Sequence, residues 1–359
     1  MAIPFLSGFR KKRDQVIVVD LGNKMTKAVQ MAKRGDVYVL ERYAMIEVPG
    51  ENPAHYVDIF ADHLKLVADS LNTRCKQVCI AIGVADSMLR HAEMPLVPSH
   101  DMRTMLRDSS KNYLQQDLSD CTFDCHILPP RSGAVAADAA GGVAKPGSKC
   151  RVLVGGAKRA LVNDLQAGAK KAGLQAVHVV PNFVGPANAF EKAQPEPFAN
   201  QSVALVELGQ KSTTITILYE GELGLSRVVN FGSERLTQGI AEAMGISEEE
   251  AEGAKITMPT DVESYLNALL MPLGRELRAS IDFFDHQHDK SVSQAFFSGG
   301  SARSSKIVEN LQVEMLVECH QWDPLASLQL DLPPEQMGEV EQIAPQLAVA
   351  VGAGLAALD

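Results

Sequence analysis

The chain has 359 residues, 46% hydrophobic and 22% charged, a composition that supports two folded cores and excludes a disordered or fibrous chain. A formal net charge of −10 argues against a nucleic-acid partner, because phosphate affinity needs clustered Lys and Arg. No apolar run comes near the ~20 residues that span a bilayer, and the first segment places its basic cluster after its apolar part, the reverse of a secretory signal.

Residues 1–13 carry Phe5, Leu6 and Phe9 ahead of Lys11, Lys12 and Arg13. This is the composition of a basic amphipathic tail, whose three cations supply about 3 kcal/mol at a strongly anionic membrane surface. A solvated tail is the competing reading. Residues 16–31, VIVVDLGNKMTKAVQM, give four apolar strand residues, Asp20, an apolar residue, Gly22, a polar turn and a second strand. A third strand is expected over 36–48, a helix over 56–71 and a buried strand over 78–84.

From residue 87 the pattern predicts a strand (88–94), a helix (102–116), a strand (123–128), a strand (151–155) and a helix (159–172). The intervening 129–149 is rich in Ala, Gly and Pro and is expected to be a flexible loop. Residues 193–202 read as a linker. The six cysteines are scattered, as reduced thiols would be, and the two C-x₃-C pairs lack four convergent zinc ligands. DHQHD at 285–289 reads as a polar turn after a helix over 266–284, which Pro272 is expected to kink or break.

Residues 203–221, VALVELGQKSTTITILYEG, repeat the order of the first hairpin. Glu207 matches Asp20 and Gly209 matches Gly22. The turn holds Gln210, Lys211, Ser212 and Thr213, as the first turn holds Asn23, Lys24 and Met25, with Lys27 in the following strand. A Gly at each bend is expected to permit torsions closed to other residues, so that the amides converge on an anion. The repeat predicts two related lobes facing each other across a cleft. Two strand-end carboxylates would there meet a polyphosphate and its Mg²⁺. A helix is expected over 233–244, with Ser247 and Glu250 forming a capping box for the next. FFSGGSA (296–302) follows, and an apolar helix over 345–358 closes the chain.

The two hairpins resemble the phosphate-one and phosphate-two motifs of the actin, heat-shock-chaperone and sugar-kinase superfamily, and FFSGGSA resembles its adenosine motif. The run FGSERLTQGIAEAMGISEEEAEGAKI (231–256), followed by RELRASIDFF and FFSGGSAR, is similar to the PilM family of type IV pilus assembly proteins, with the division protein FtsA a more distant relative. The resemblance implies an α/β, actin-like (ribonuclease H-like), two-lobed fold with an inserted 1C-type subdomain at 87–176. Residues 14–86, 177–200 and 341–359 would then form subdomain 1A, and 201–340 the second lobe.

It further implies ATP or ADP with Mg²⁺ between the lobes. The metal would be held by Asp20 and Glu207 through water. The phosphates would lie against Gly22, Asn23, Lys24, Met25, Lys27, Gly209, Gln210, Lys211, Ser212 and Thr213. Glu252 and Lys255 match the E-x-x-K positions near ribose and adenine, and Gly299, Gly300 and Ser301 the adenosine pocket. Glu207 and Gln210 are the catalytic candidates, with slow hydrolysis at most expected because Glu207 stands where relatives have Asp. The implied partner is the cytoplasmic N-terminal tail of a PilN-like inner-membrane protein, with pilus motor ATPases, self-association and peripheral membrane contact as further candidates. An FtsA-like filament protein and a small-molecule kinase stay open as alternatives.

Overall fold

The computed structural model describes residues 13–48, 53–128, 148–257, 259–288 and 290–359. The basic tail, apart from Arg13, and the expected loop, apart from Ser148 and Lys149, lie outside the described residues. Arg13 donates from Nη1 to the His178 ring at 3.0 Å.

The first sheet begins with an antiparallel meander of β1 (Gln15–Leu21), β2 (Met25–Arg34) and β3 (Val37–Glu47). Helix α1 (Val57–Ser70) leads to β4 (Gln77–Ile82), which pairs parallel with β1. An inserted unit follows: β5 (Ser87–Pro95), α2 (Ser99–Leu114), β6 (Cys121–Ile127) and β7 (Lys149–Lys158), whose strands form a separate sheet in the order β5-β7-β6. Helix α3 (Arg159–Lys171) and β8 (Gln175–Pro181) return the chain to the first sheet beside β4. Helix α4 (Val184–Ala193) then leads out, and the expected linker contains a short helix, α5 (Pro195–Asn200), that its two prolines start rather than block.

The second sheet repeats the plan. A meander of β9 (Ser202–Leu208), β10 (Thr213–Tyr219) and β11 (Glu222–Val229) precedes α6 (Ser233–Met244), α7 (Glu248–Thr257) and α8 (Pro259–His288). Strand β12 (Gln294–Gly299) pairs parallel with β9, and α9 (Ser305–Met315) and β13 (Glu318–Gln321) complete that sheet. Strand β14 (Gln329–Leu330) crosses back to pair with β3, so part of the segment expected in the second lobe joins the first sheet. Two short helices, α10 (Pro334–Met337) and α11 (Val340–Ile343), precede a 3₁₀ turn (Ala344–Leu347) and α12 (Ala348–Leu358). The sheet orders, β14-β3-β2-β1-β4-β8 and β11-β10-β9-β12-β13, share one core pattern of three antiparallel strands followed by two parallel ones.

The central strands show why their sequences are almost continuously apolar. On β1, Val16 and Val18 enter one core while Ile17 and Val19 enter another, and on β9 Val203 and Leu205 share the first of these while Ala204 and Val206 enter a third. Strands covered on both faces lose the alternation of half-exposed ones. Phe190 of α4 packs on Phe296 of β12 at 4.8 Å and on Trp322 at 5.3 Å, within the core common to both sheets.

Helix α12 crosses α4 at Gly352 and Gly185. A Cβ on Gly352 would lie 1.7 Å from the Gly185 carbonyl oxygen. By length and composition, Val340–Leu358 could cross a bilayer, contrary to the reading that no run approaches that length, but 61% of the apolar window is buried. Its apolarity serves the core. Of the kink or break expected at Pro272, the break does not occur: helix α8 runs on through Pro272 and extends beyond both ends of the expected segment.

The inserted sheet touches the second lobe directly. Arg151 of β7 forms a two-pronged ion pair with Glu222 of β11, at 2.6 and 2.8 Å, and the His91 ring on β5 hydrogen-bonds the Leu223 carbonyl at 2.8 Å.

Candidate functional site

The two hairpin turns open onto one cleft of about 900 Å³ between the sheets. On the first wall, Asp20 stands opposite Lys27 in the β1–β2 register, and on the second Glu207 stands opposite Thr214 in β9–β10. Lys27 Nζ donates to Asp20 Oδ2 at 3.0 Å. Burial alone would lower the Lys27 pKa, but the Asp20 carboxylate, and then Glu207, outweigh it and raise it. Glu207 is pushed up to about 7, first by burial and then by the Asp20 charge, with Lys27 opposing. Asp20 holds the Lys27 ammonium directly, and the Glu207 carboxylate is acted on by both of these charges.

Neither turn glycine has a positive φ, which corrects the torsional role expected for them. They are needed for space. A Cβ on Gly22 would lie 2.4 Å from the Met25 carbonyl oxygen, and one on Gly209 would lie 2.6 Å from that of Ser212. Gly209 N–H closes its turn onto the Ser212 carbonyl at 3.1 Å. The start of α6 supports this turn from behind: Ser233 and Glu234 N–H donate to the Gly209 and Gln210 carbonyls at 2.9 and 3.0 Å. At the third corner Gly299 has φ +95°, and a Cβ there would meet the Leu208 carbonyl oxygen at 2.4 Å.

The structure brings Asp20, Gly22, Asn23, Lys24, Met25, Lys27, Glu207, Gly209, Gln210, Ser212, Glu252, Gly299 and Gly300 to the cleft wall. Lys211, Thr213, Lys255 and Ser301 are not among the lining residues. Lys211 is exposed. Thr213 is fully buried and donates its hydroxyl to the Phe231 carbonyl at 2.7 Å, so it braces the turn instead of offering a hydroxyl to an anion. Lys255 is also fully buried, its Nζ bonded to Glu252 Oε2 at 2.9 Å and Thr237 Oγ1 at 3.0 Å. It therefore orients Glu252, the member of the pair that reaches the cleft. The Ser247–Glu250 capping box forms, with Ser247 N–H and Oγ both donating to Glu250 Oε2.

Sequence reasoning missed Thr237, Asn182 and Gln346, all on the cleft wall. Asn182 sits between β8 and α4, and its Oδ1 is buried without a hydrogen-bond partner, as is Gln210 Oε1. Gln346 comes from the 3₁₀ turn before α12. Among the described residues no group of three or more His, Cys, Asp or Glu side chains is placed to hold a metal ion. Asp285 to His288 instead belong to the last turn of α8.

A family model described as type IV pilus assembly protein PilM matches residues 18–358. The cell division protein FtsA of Bacillus subtilis (strain 168) is 33% identical over 103 residues, 29% of this chain and 22% of FtsA, so the match spans about a fifth of that relative. Among solved structures, the PilM-PilN type IV pilus biogenesis complex matches with a TM-score of 0.80 at 20% identity, over 97% of this chain and 100% of that chain. The ethanolamine utilization protein EutJ from Carboxydothermus hydrogenoformans matches with a TM-score of 0.54 at 14% identity, over 95% of this chain and 89% of its own. The fold is accordingly actin-like, as the resemblance of its motifs implied.

Proposed function

The chain belongs to the PilM family of type IV pilus assembly proteins, and on that premise we propose that it is a cytoplasmic nucleotide-binding scaffold at the inner face of an inner-membrane assembly platform. The observation that carries the nucleotide reading is the convergence of Asp20, Lys27 and Glu207 from two matching hairpins in one cleft. The donor set suits ATP with Mg²⁺. Two carboxylates offer oxygen ligands to a hard cation, directly or through water. Lys27 offers a point charge to phosphate, and the glycine turns leave backbone open to it. Gly299 and Gly300 leave room for a flat base, with Glu252 and Thr237 beside it. Bound Mg²⁺ would neutralise phosphate charge.

The expected subdomains, 1A (14–86, 177–200, 341–359), the inserted 1C (87–176) and the second lobe (201–340), belong to the same proposal, with β14 assigned to 1A. One of the solved structures that this chain resembles is a complex of PilM with PilN. By that likeness the proposed partner is the cytoplasmic N-terminal tail of a PilN-like membrane protein, with motor ATPases and self-association as secondary contacts. Calorimetry with ATP and Mg²⁺ tests the cleft. Lys27→Ala should weaken binding at least about tenfold, or about 1.4 kcal/mol, and equal affinity for both proteins would refute the assignment.

A further inference from the structure

We propose that Lys27 is the resident cation of Asp20, holding that carboxylate until a nucleotide phosphate draws the ammonium away, so that divalent metal enters only together with nucleotide. This rests on the nucleotide reading above and deepens it. Asp20 and Lys27 face each other in register, and their side chains are 4% and 18% exposed. The ammonium lies 3.0 Å from Asp20 Oδ2, and its charge also acts on Glu207 across the cleft. It rests against the first turn, where a Cβ on Gly22 would come within 3.0 Å of Nζ. The second hairpin supplies no matching cation, since Thr214 occupies the position opposite Glu207.

An ammonium and a divalent ion repel each other at one carboxylate. For metal to take Asp20 in the absence of nucleotide, Lys27 would be left as a half-buried charge without its partner, which is unfavourable. A phosphate changes the balance by accepting charge-assisted hydrogen bonds from the released ammonium. No bond is broken covalently and no proton moves; one ion pair is exchanged for two.

Mn²⁺, which shares the oxygen preference of Mg²⁺, is the probe, read by electron paramagnetic resonance on the full chain. Nucleotide-free wild type should bind Mn²⁺ at least tenfold more weakly than Lys27→Met, and ATP should bring Mn²⁺ onto wild type. Lys27→Gln serves as a second variant, because it can still hydrogen-bond Asp20 if the methionine protein does not fold. Adding Asp20→Asn to either variant should remove the new metal site. Nucleotide-free wild type binding Mn²⁺ as tightly as both variants would overturn the proposal, as would two folded variants that bind none. If the variants bind Mn²⁺ alone but ATP recruits none to wild type, the resident-cation role stands and the nucleotide reading falls.

Discussion

Thr26 and His63 form a buried hydrogen bond of 2.8 Å behind the first turn, between β2 and α1. Burial lowers the His63 pKa below its ordinary 6.5. The unfolded chain therefore binds a proton as pH falls through 6.5 while the folded chain still resists it, so stability is retained above 6.5 and declines below. His63→Gln can keep the bond to Thr26 without titrating. The loss of melting temperature between pH 7.5 and pH 5 should be smaller in this variant than in wild type, and an equal loss would exclude His63 as the cause. Glu207 poses a different question, because its side chain is one methylene longer than the Asp expected there and Mg²⁺ tolerates little distortion. Wild-type turnover should fall below about 1 s⁻¹, the low end of ordinary enzymes, and Glu207→Asp should raise it; a phosphate-release assay showing no rise would place the limit elsewhere.

At the level of elements, both hairpins were legible because each combines strand composition with a carboxylate and a glycine at fixed spacing. The residues between them were not. Asn182 and Gln346 reach the cleft through segments remote in sequence, and no local pattern marks them. Lys255 and Thr213 had the right spacing but their side chains turn inward, a choice made by packing. The edge strand β14 has two residues, too few for any periodicity to register. Close packing of helices also makes a quantitative claim. Gly352→Ala must push α12 from α4 and should cost about 1–3 kcal/mol. Gly253, within α7, has nothing within 4 Å of its added Cβ, so Gly253→Ala should stabilise by about 0.5–1 kcal/mol. Urea unfolding of the two variants compares them directly, and equal shifts would contradict the packing argument.

For the whole molecule, the contact of the inserted sheet with the second lobe matters most. Glu222 is 4% exposed at its side chain and Arg151 25%. Truncating one partner of a buried pair leaves the other's charge uncompensated, at a cost of about 3–5 kcal/mol. Arg151→Ala should lower stability toward that range, and adding Glu222→Ala should recover part of the loss; a double variant no more stable than Arg151→Ala would show that lost packing dominates. The same contact has a mechanical consequence. The inserted sheet is joined to one wall of the cleft by its chain and to the other by a guanidinium fork, so it acts as a strut across the two. A tension applied to that sheet would divide between both walls, and the share reaching the second would run along the β10–β11 ladder toward the turn at Gly209.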